Sequence, residues 1–154
     1  MAHSALISIV FVVIERGYYM LKRVIAGALV AFGLNASVFA DVAVIVHPDN
    51  NGELTQTEIE RIFLGKSAQF PDGSEAIPIN TTGSVNDEFN QKVLGRNSSQ
   101  IESYWAKLVF TGKGTPPKEV DEASVINLIK NNKNAIAYID SGKVTDDVKV
   151  VLKK

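Results

Sequence analysis

The sequence of 154 residues contains no cysteine, one tryptophan and two histidines, and each scarcity excludes a class of protein. Without cysteine there can be no disulfide framework, no thiol nucleophile and no thiolate metal site. His47 is the only histidine beyond His3, so the sequence offers no histidine cluster for a metal ion or a catalytic triad. We therefore expect a protein that is not an enzyme and has no cofactor.

Positive charge is also scarce. Residues 1–40 hold Arg16, Lys22, Arg23 and Glu15, and the rest of the chain has 13 basic and 16 acidic side chains, a net charge of −3. No lysine or arginine cluster in that part could follow a phosphate backbone. Nucleic acid is therefore excluded as an expected partner.

Two apolar runs, residues 5–14 and 24–40, dominate the N-terminal part. The second run follows Lys22 and Arg23 and ends in the small-residue segment 38–40, which is the pattern of a secretory signal. We expect a signal peptide over residues 20–40, cleavage after Ala40 and a periplasmic domain over residues 41–154. A start at Met20 would make residues 1–19 an upstream extension, with Met1 as the alternative start. The rival interpretation, two membrane anchors, needs roughly 20 apolar residues in each run.

Residues 41–154 alternate between strand and helix patterns. The β-branched run 42–47 predicts a central strand covered on both faces, and shorter strands are expected at 76–80, 135–139 and 148–152. A helix that buries Ile59, Ile62 and Phe63 is predicted after Thr55, whose spacing to Glu58 is that of a capping box. The alternation indicates an α/β layer with some parallel pairing.

Three further helices are predicted. One carries Val85, Phe89 and Val93 at helical spacing, and one covers residues 121–131. The most periodic helix is expected to begin with a capping box at Ser99 and Glu102 and to be the main cover of the sheet. Its inward stripe is Ile101, Tyr104, Trp105, Leu108 and Val109.

Three features are assigned structural rather than chemical roles. His47 ends a strand beside Asp49 and is expected to hydrogen-bond locally. Segment 111–114 contains Lys113 between two glycines but lacks the spacing of a phosphate loop, so we interpret it as a connection. Trp105 lies on an apolar helical stripe, which favours core packing over a carbohydrate platform.

The order of these motifs resembles the phosphate-binding-protein-like family of type 2 periplasmic binding proteins. The resemblance runs through "VHPDN", "LTQTEIERIFLGK", "FPDG", "IPINTTGS", "YWAKLVFTGKGTPP" and "NAIAYID". It implies an α/β fold in which a mixed sheet is covered by helices, as in one lobe of a two-lobed protein. It also implies a small phosphate-like oxyanion as ligand, and a membrane transporter, another envelope protein or a second copy of the chain as partner.

The resemblance places the ligand at a turn before a helix. Gly83 and Ser84 fall on the family's glycine and serine, so the expected ligand-binding residues are Asn80, Thr81, Thr82, Gly83, Ser84, Val85 and Asn86. Orphan amides at a helix start favour an anion. However, Asn80 occupies the position of an arginine, and Asp87 stands where related small proteins have another. Alternatively, Ser84 acts only as a helix cap paired with Asp87.

The sequence is compatible with two functions. The first is a periplasmic solute-binding domain related to the substrate-binding proteins of phosphate ABC transporters, with weak or altered binding of an oxyanion or small ligand. The second is an envelope interaction or scaffold protein that has lost its ligand. The missing arginines favour the second on chemistry, and the retained turn at Gly83 and Ser84 favours the first.

Overall fold

A computed structural model describes residues 41–154, so the predicted extension and signal over residues 1–40 lie outside the described residues. The five strands of the described part are β1 (Val42–Val46), β2 (Ile77–Thr81), β3 (Lys118–Val120), β4 (Ala135–Asp140) and β5 (Lys149–Lys153). Its four α-helices are α1 (Gln56–Phe63), α2 (Ser84–Lys92), α3 (Ser98–Phe110) and α4 (Glu122–Asn131). A short 3-10 turn, Ser141–Lys143, follows β4.

The strands form one mixed sheet in the order β3-β2-β4-β1-β5. β2 runs parallel to β3 and β4, and β1 runs antiparallel to β4 and β5. β1 lies between two neighbours and all five of its residues are buried, which confirms the predicted central strand. The sequence also predicted β2, β4 and β5 to within one residue at most of their ends.

Hydrophobic side chains fill the space on both faces of the sheet. One core contains Val44, Ile136 and Tyr138 of the strands together with Phe63 of α1 and Phe89 of α2. The other core contains the alternate strand residues, such as Ile45 and Ala137, packed against Val125 and Ile129 of α4. Because side chains alternate along a strand, covering both faces requires an unbroken apolar run, and β1 and β4 both have one.

The capping box of α1 is confirmed, and the one predicted for α3 is displaced. Thr55 accepts a hydrogen bond from the Glu58 N–H, and Glu58 accepts one from the Thr55 N–H. In α3 the cap is Asn97 rather than Ser99, because the Asn97 side chain accepts from the Gln100 N–H at 2.9 Å and Gln100 reciprocates at 3.0 Å. The predicted pair Ser99–Glu102 therefore lies inside the helix.

The expected role of α3 as the main cover of the sheet is wrong. α2 contacts β1, β2 and β4, α1 contacts β2 and α4 contacts β4, whereas α3 packs on α2. Ile101 and Trp105 are buried, whereas Val109, which was predicted to face inward, is 55% exposed because the helix end extends past the core. The three-residue edge strand β3 was not predicted, since Lys118 and Glu119 give it no apolar pattern. No helix in residues 41–154 is both long and apolar enough to cross a membrane.

Candidate functional site

The turn between β2 and α2 is built around Gly83. This residue caps α2 with φ 100° and ψ −169°, a backbone region that is essentially restricted to glycine. Ser84 is the first helical residue, and no side chain caps this helix. The alternative interpretation of Ser84 as the helix cap is therefore wrong, because glycine takes that position.

The exposed part of the predicted site consists of Thr82, Gly83 and Ser84. The Thr82 N–H donates to the Val120 carbonyl at 3.0 Å, which ties the turn to β3. Within the described chain we find no acceptor for the N–H groups of Ser84 and Val85. These two amides at the start of α2 are free to bind an anion or water.

Two of the seven predicted site residues point their side chains into the protein. Thr81 is fully buried and its hydroxyl donates to the Tyr138 carbonyl, so that group is already engaged. Val85 is 4% exposed and belongs to the aromatic core with Phe89. Only the backbone of Val85 could therefore meet a ligand.

The structure brings Asn80 and Asn86 together at the hydroxyl of Tyr138. Asn86 Nδ2 donates to the Tyr138 hydroxyl oxygen at 2.7 Å, and that hydroxyl lies 3.4 Å from Asn80 Oδ1. The Tyr138 ring stacks on Phe89 with ring centres 3.8 Å apart and planes 5° from parallel. Tyr138 thus fixes the positions of two predicted site residues. It lies on β4, a strand that the sequence did not connect with the site.

A chain of hydrogen bonds continues from Asn86 to the start of α3. Asn90 Nδ2 donates to Asn86 Oδ1 at 2.9 Å and to Ser98 Oγ at 3.3 Å. The Ser98 hydroxyl in turn donates to the Asp87 carboxylate. Asn90 is 4% exposed, so this network is part of the protein interior as well as the wall of a cavity. These hydrogen bonds link α2 to the start of α3.

A cavity of about 290 Å³ lies between these elements, next to the turn. Its wall contains residues of β2, α2, α3 and the segment through β3: Asn80, Asn86, Asn90, Ser98, Ile101, Glu102, Trp105, Pro116 and Glu119. Ligand pockets commonly combine an apolar surface with a few polar groups, and this one does so at the lower end of their size range, roughly 300–1,000 Å³. Asn80 and Asn86 are the predicted site residues that line it.

The electrostatic character of this region is negative. The cavity wall contains the acidic residues Glu102 and Glu119 and neither lysine nor arginine. Burial raises the pKa of the Tyr138 hydroxyl far above its usual range, and the charges of Glu119 and Asp87 add to that rise. The tyrosine is therefore neutral at physiological pH and acts as a hydrogen-bonding group.

Sequence reasoning missed Asn90, Ser98, Glu102, Glu119 and Tyr138. Only Tyr138 carried a local signal, because a tyrosine within an otherwise aliphatic buried strand needs a hydrogen-bond partner for its hydroxyl. The others come from separate elements with ordinary spacings.

The structure agrees with the structural roles that the sequence predicted for His47, Trp105 and the loop that contains Lys113. His47 Nδ1 accepts from the Asp49 N–H at 3.0 Å, which confirms a local hydrogen bond. Trp105 is 7% exposed, which confirms its place in the core. The Lys113 N–H donates to the Leu108 carbonyl at 2.8 Å, so the loop closes the end of α3.

Several solved structures are similar in fold to this chain. They include a protein described as a phosphate ABC transporter substrate-binding protein, with bound phosphate, from Clostridium perfringens (TM-score 0.54, 20% identity). An ABC-type phosphate transport receptor from Vibrio cholerae has a TM-score of 0.54 and 16% identity. The matches cover 73% of this chain and 45% and 46% of those chains.

The described domain has a phosphate-binding-protein-like fold. The fold class predicted from the sequence, a single α/β lobe with a mixed sheet covered by helices, is confirmed. The chain spans less than half the length of the structures it matches. No protein-family model and no curated protein matches the sequence.

Proposed function

We propose that this chain is a solute-binding domain of the cell envelope, related to phosphate-binding proteins, whose ligand site is altered so that oxyanions bind weakly. The observation that carries the proposal is the cavity beside the turn where the resemblance places the ligand. It is lined by carboxamides and contains no basic side chain. The cavity lies beside the turn where the family's ligand is expected, but its wall lacks the positive charge of an oxyanion site. This difference would alter ligand binding.

The turn keeps part of an oxyanion site. The free N–H groups of Ser84 and Val85 attract an anion, but a helix start contributes only about 0.3–1 kcal/mol at an exposed position. Charge-assisted bonds from arginine are roughly twice as strong as neutral hydrogen bonds, and Asn80 supplies no charge. Asp87 adds a negative charge in the first turn of the helix. Phosphate should therefore bind with a Kd of about 1 mM or weaker, which corresponds to roughly −4.1 kcal/mol.

The proposal includes export. A signal over residues 20–40 fits the folded part, because Asp41 and Val42 are already tied into the domain. The Val42 N–H donates to the Lys154 carbonyl at 2.7 Å, and the Asp41 carbonyl accepts from the Ser141 N–H at 2.7 Å. Cleavage after Ala40 would leave these bonds intact. Mass spectrometry of protein from the envelope fraction should find Asp41 at the N-terminus, and a form that retains residues 1–19 would contradict the start at Met20.

A thermal-shift screen tests ligand binding in general. The panel contains phosphate, sulfate, small carboxylates, amino acids and amines. A ligand at a hundredfold excess over its Kd should stabilise the protein by about 2.7 kcal/mol. Asn86→Leu removes a cavity-lining amide, and Asn131→Leu on α4 is the control outside the cavity. A shift lost in Asn86→Leu and kept in Asn131→Leu supports the cavity as the site.

The alternative function, an envelope interaction protein without a ligand, is favoured by one observation. Phe110 at the end of α3 is 93% exposed beside Val109, and exposed apolar surface of this kind marks many protein interfaces. The partner would be a transporter component, another envelope protein or a second copy. Silence across the ligand panel, together with concentration-dependent self-association that Phe110→Ser abolishes in sedimentation velocity, would favour this function over ligand binding.

A further inference from the structure

Hydrogen bonds within the protein occupy several of the side-chain donors beside the cavity. Both N–H groups of the Asn90 carboxamide are used, one on Asn86 and one on Ser98. The Ser98 hydroxyl donates to Asp87, and an N–H of Asn86 is donated to Tyr138. The network therefore directs much of its donor capacity toward protein atoms.

The charged side chains that line the cavity are both acidic. Glu102 on α3 and Glu119 on β3 both line the cavity, and both are exposed. Neither forms an ion pair with another of residues 41–154. Asp87 adds a third negative charge nearby, and its carboxylate accepts from Ser98. Two glutamates from different elements thus line one cavity, and neither is paired with a basic side chain of residues 41–154.

Apolar groups complete the wall. Trp105, Ile101 and Pro116 line the same cavity, so it can accommodate an alkyl chain as well as a charged group. A volume of about 290 Å³ limits the ligand to a small molecule. An oxyanion would find only the neutral donors of Asn80 and Asn86 there, without lysine or arginine, and would be repelled by the two carboxylates.

We propose that this cavity binds a small organic cation, an alkyl amine or guanidine, whose charged group meets Glu102 and Glu119 and whose alkyl part lies against Trp105 and Pro116. The inference rests on the proposed solute-binding function and specifies its ligand class. It reverses the charge preference that the resemblance to phosphate-binding proteins implies. The amides of Ser84 and Val85 do not line this cavity, so weak phosphate binding at the turn is a separate event.

A matched ligand series tests the charge preference. Butylammonium, butanol and butyrate share one alkyl chain and differ in charge, and each is titrated calorimetrically into protein expressed from the full-length sequence, with phosphate as a fourth ligand. Butylammonium should bind at least about tenfold more tightly than butyrate. Its affinity should fall as salt rises from 20 to about 300 mM, because exposed charges are screened.

Glu102→Gln and Glu119→Gln remove the charges and keep the side-chain shape. Each should weaken butylammonium about two- to fivefold, the range for an exposed ion pair, and Glu53→Gln, the same change outside the cavity, should leave it unaltered. Because both carboxylates are exposed, folding should not depend on them, and the salt series provides a second measurement on unmodified protein.

The outcomes separate this inference from the function on which it rests. Binding of butanol, butyrate or phosphate in the cavity without preference for butylammonium would overturn the cation inference and leave solute binding standing. Binding of butylammonium that is unaffected by both cavity substitutions would also overturn it. Silence of every ligand here and in the wider thermal-shift panel would overturn the solute-binding function itself.

Discussion

The four helix starts of the domain fall into two kinds. Thr55, Asn97 and Asp121 each accept a hydrogen bond from an amide of the helix that they begin, whereas α2 begins at Gly83 with no side-chain cap. The same physical problem, unpaired amides at a helix start, is thus solved internally at three places and left open at one. The open start lies between Asn80 and Asn86, two residues of the cavity wall, so the one α-helix of the described domain without a side-chain cap is the one that begins beside the cavity.

The largest effect on stability is expected in α3, one of the three helices whose start has a side-chain cap. Trp105→Ala should lower the free energy of unfolding by about 3–5 kcal/mol, because it removes a large ring that is 7% exposed. The ring leaves little room at Gly65 and Gly114, where an added Cβ would lie 3.0 Å and 3.4 Å from it. Denaturant titration measures this loss. Val109→Ala, on the exposed end of the same helix, is the control and should cost under about 0.5 kcal/mol. A loss under about 1 kcal/mol for Trp105→Ala would show that the ring is not part of the core.

The second effect tests whether the open start depends on glycine. Gly83→Ala should cost about 1–3 kcal/mol, because a side chain is strained at φ 100° and ψ −169°. A Cβ at this position has no atom within 4 Å, so the cost would come from backbone strain and not from a clash. Thermal and denaturant melts measure the cost. An unchanged stability would mean that the turn adopts another conformation, and the geometry of the two free amides would then be wrong.

The third and smallest effect compares a closed start with the open one directly. Thr55→Ala should cost about 1 kcal/mol, since it removes a hydroxyl that caps α1 at the Glu58 N–H. Ser84→Ala should cost under about 0.5 kcal/mol, because the Ser84 side chain caps nothing. Paired denaturant titrations of the two variants provide the test. Equal losses would mean that Ser84 is a cap after all.

The sequence predicted the strands and most helix faces because these follow from local patterns. An unbroken apolar run that is mostly β-branched, such as that of β1, has few alternatives to a buried strand. The errors occur where position depends on neighbours in space. The apolar stripe of α3 extends to Val109, but the core ends before it, and the edge strand β3 exists only because β2 lies beside it.

The candidate site could be predicted only in part. The turn at Gly83 lies in a single segment, so its glycine and the absence of a nearby arginine are visible in the sequence. The cavity beside it is assembled from four parts of the chain, and residues such as Glu102 and Glu119 have no spacing that connects them. Its charge therefore became apparent only from packing, and this charge is the basis on which we propose a cationic ligand.

The phosphate affinity of the open helix start tests the account most directly. Isothermal titration compares the native protein with Asp87→Arg and Asp87→Asn at a single salt concentration. We expect native binding near 1 mM or too weak to detect, and a gain of at least about tenfold, or 1.4 kcal/mol, in Asp87→Arg, with a smaller gain in Asp87→Asn. Tight phosphate binding by the native protein, or no gain from either substitution, would contradict the view that this start is an oxyanion turn weakened by its missing positive charge.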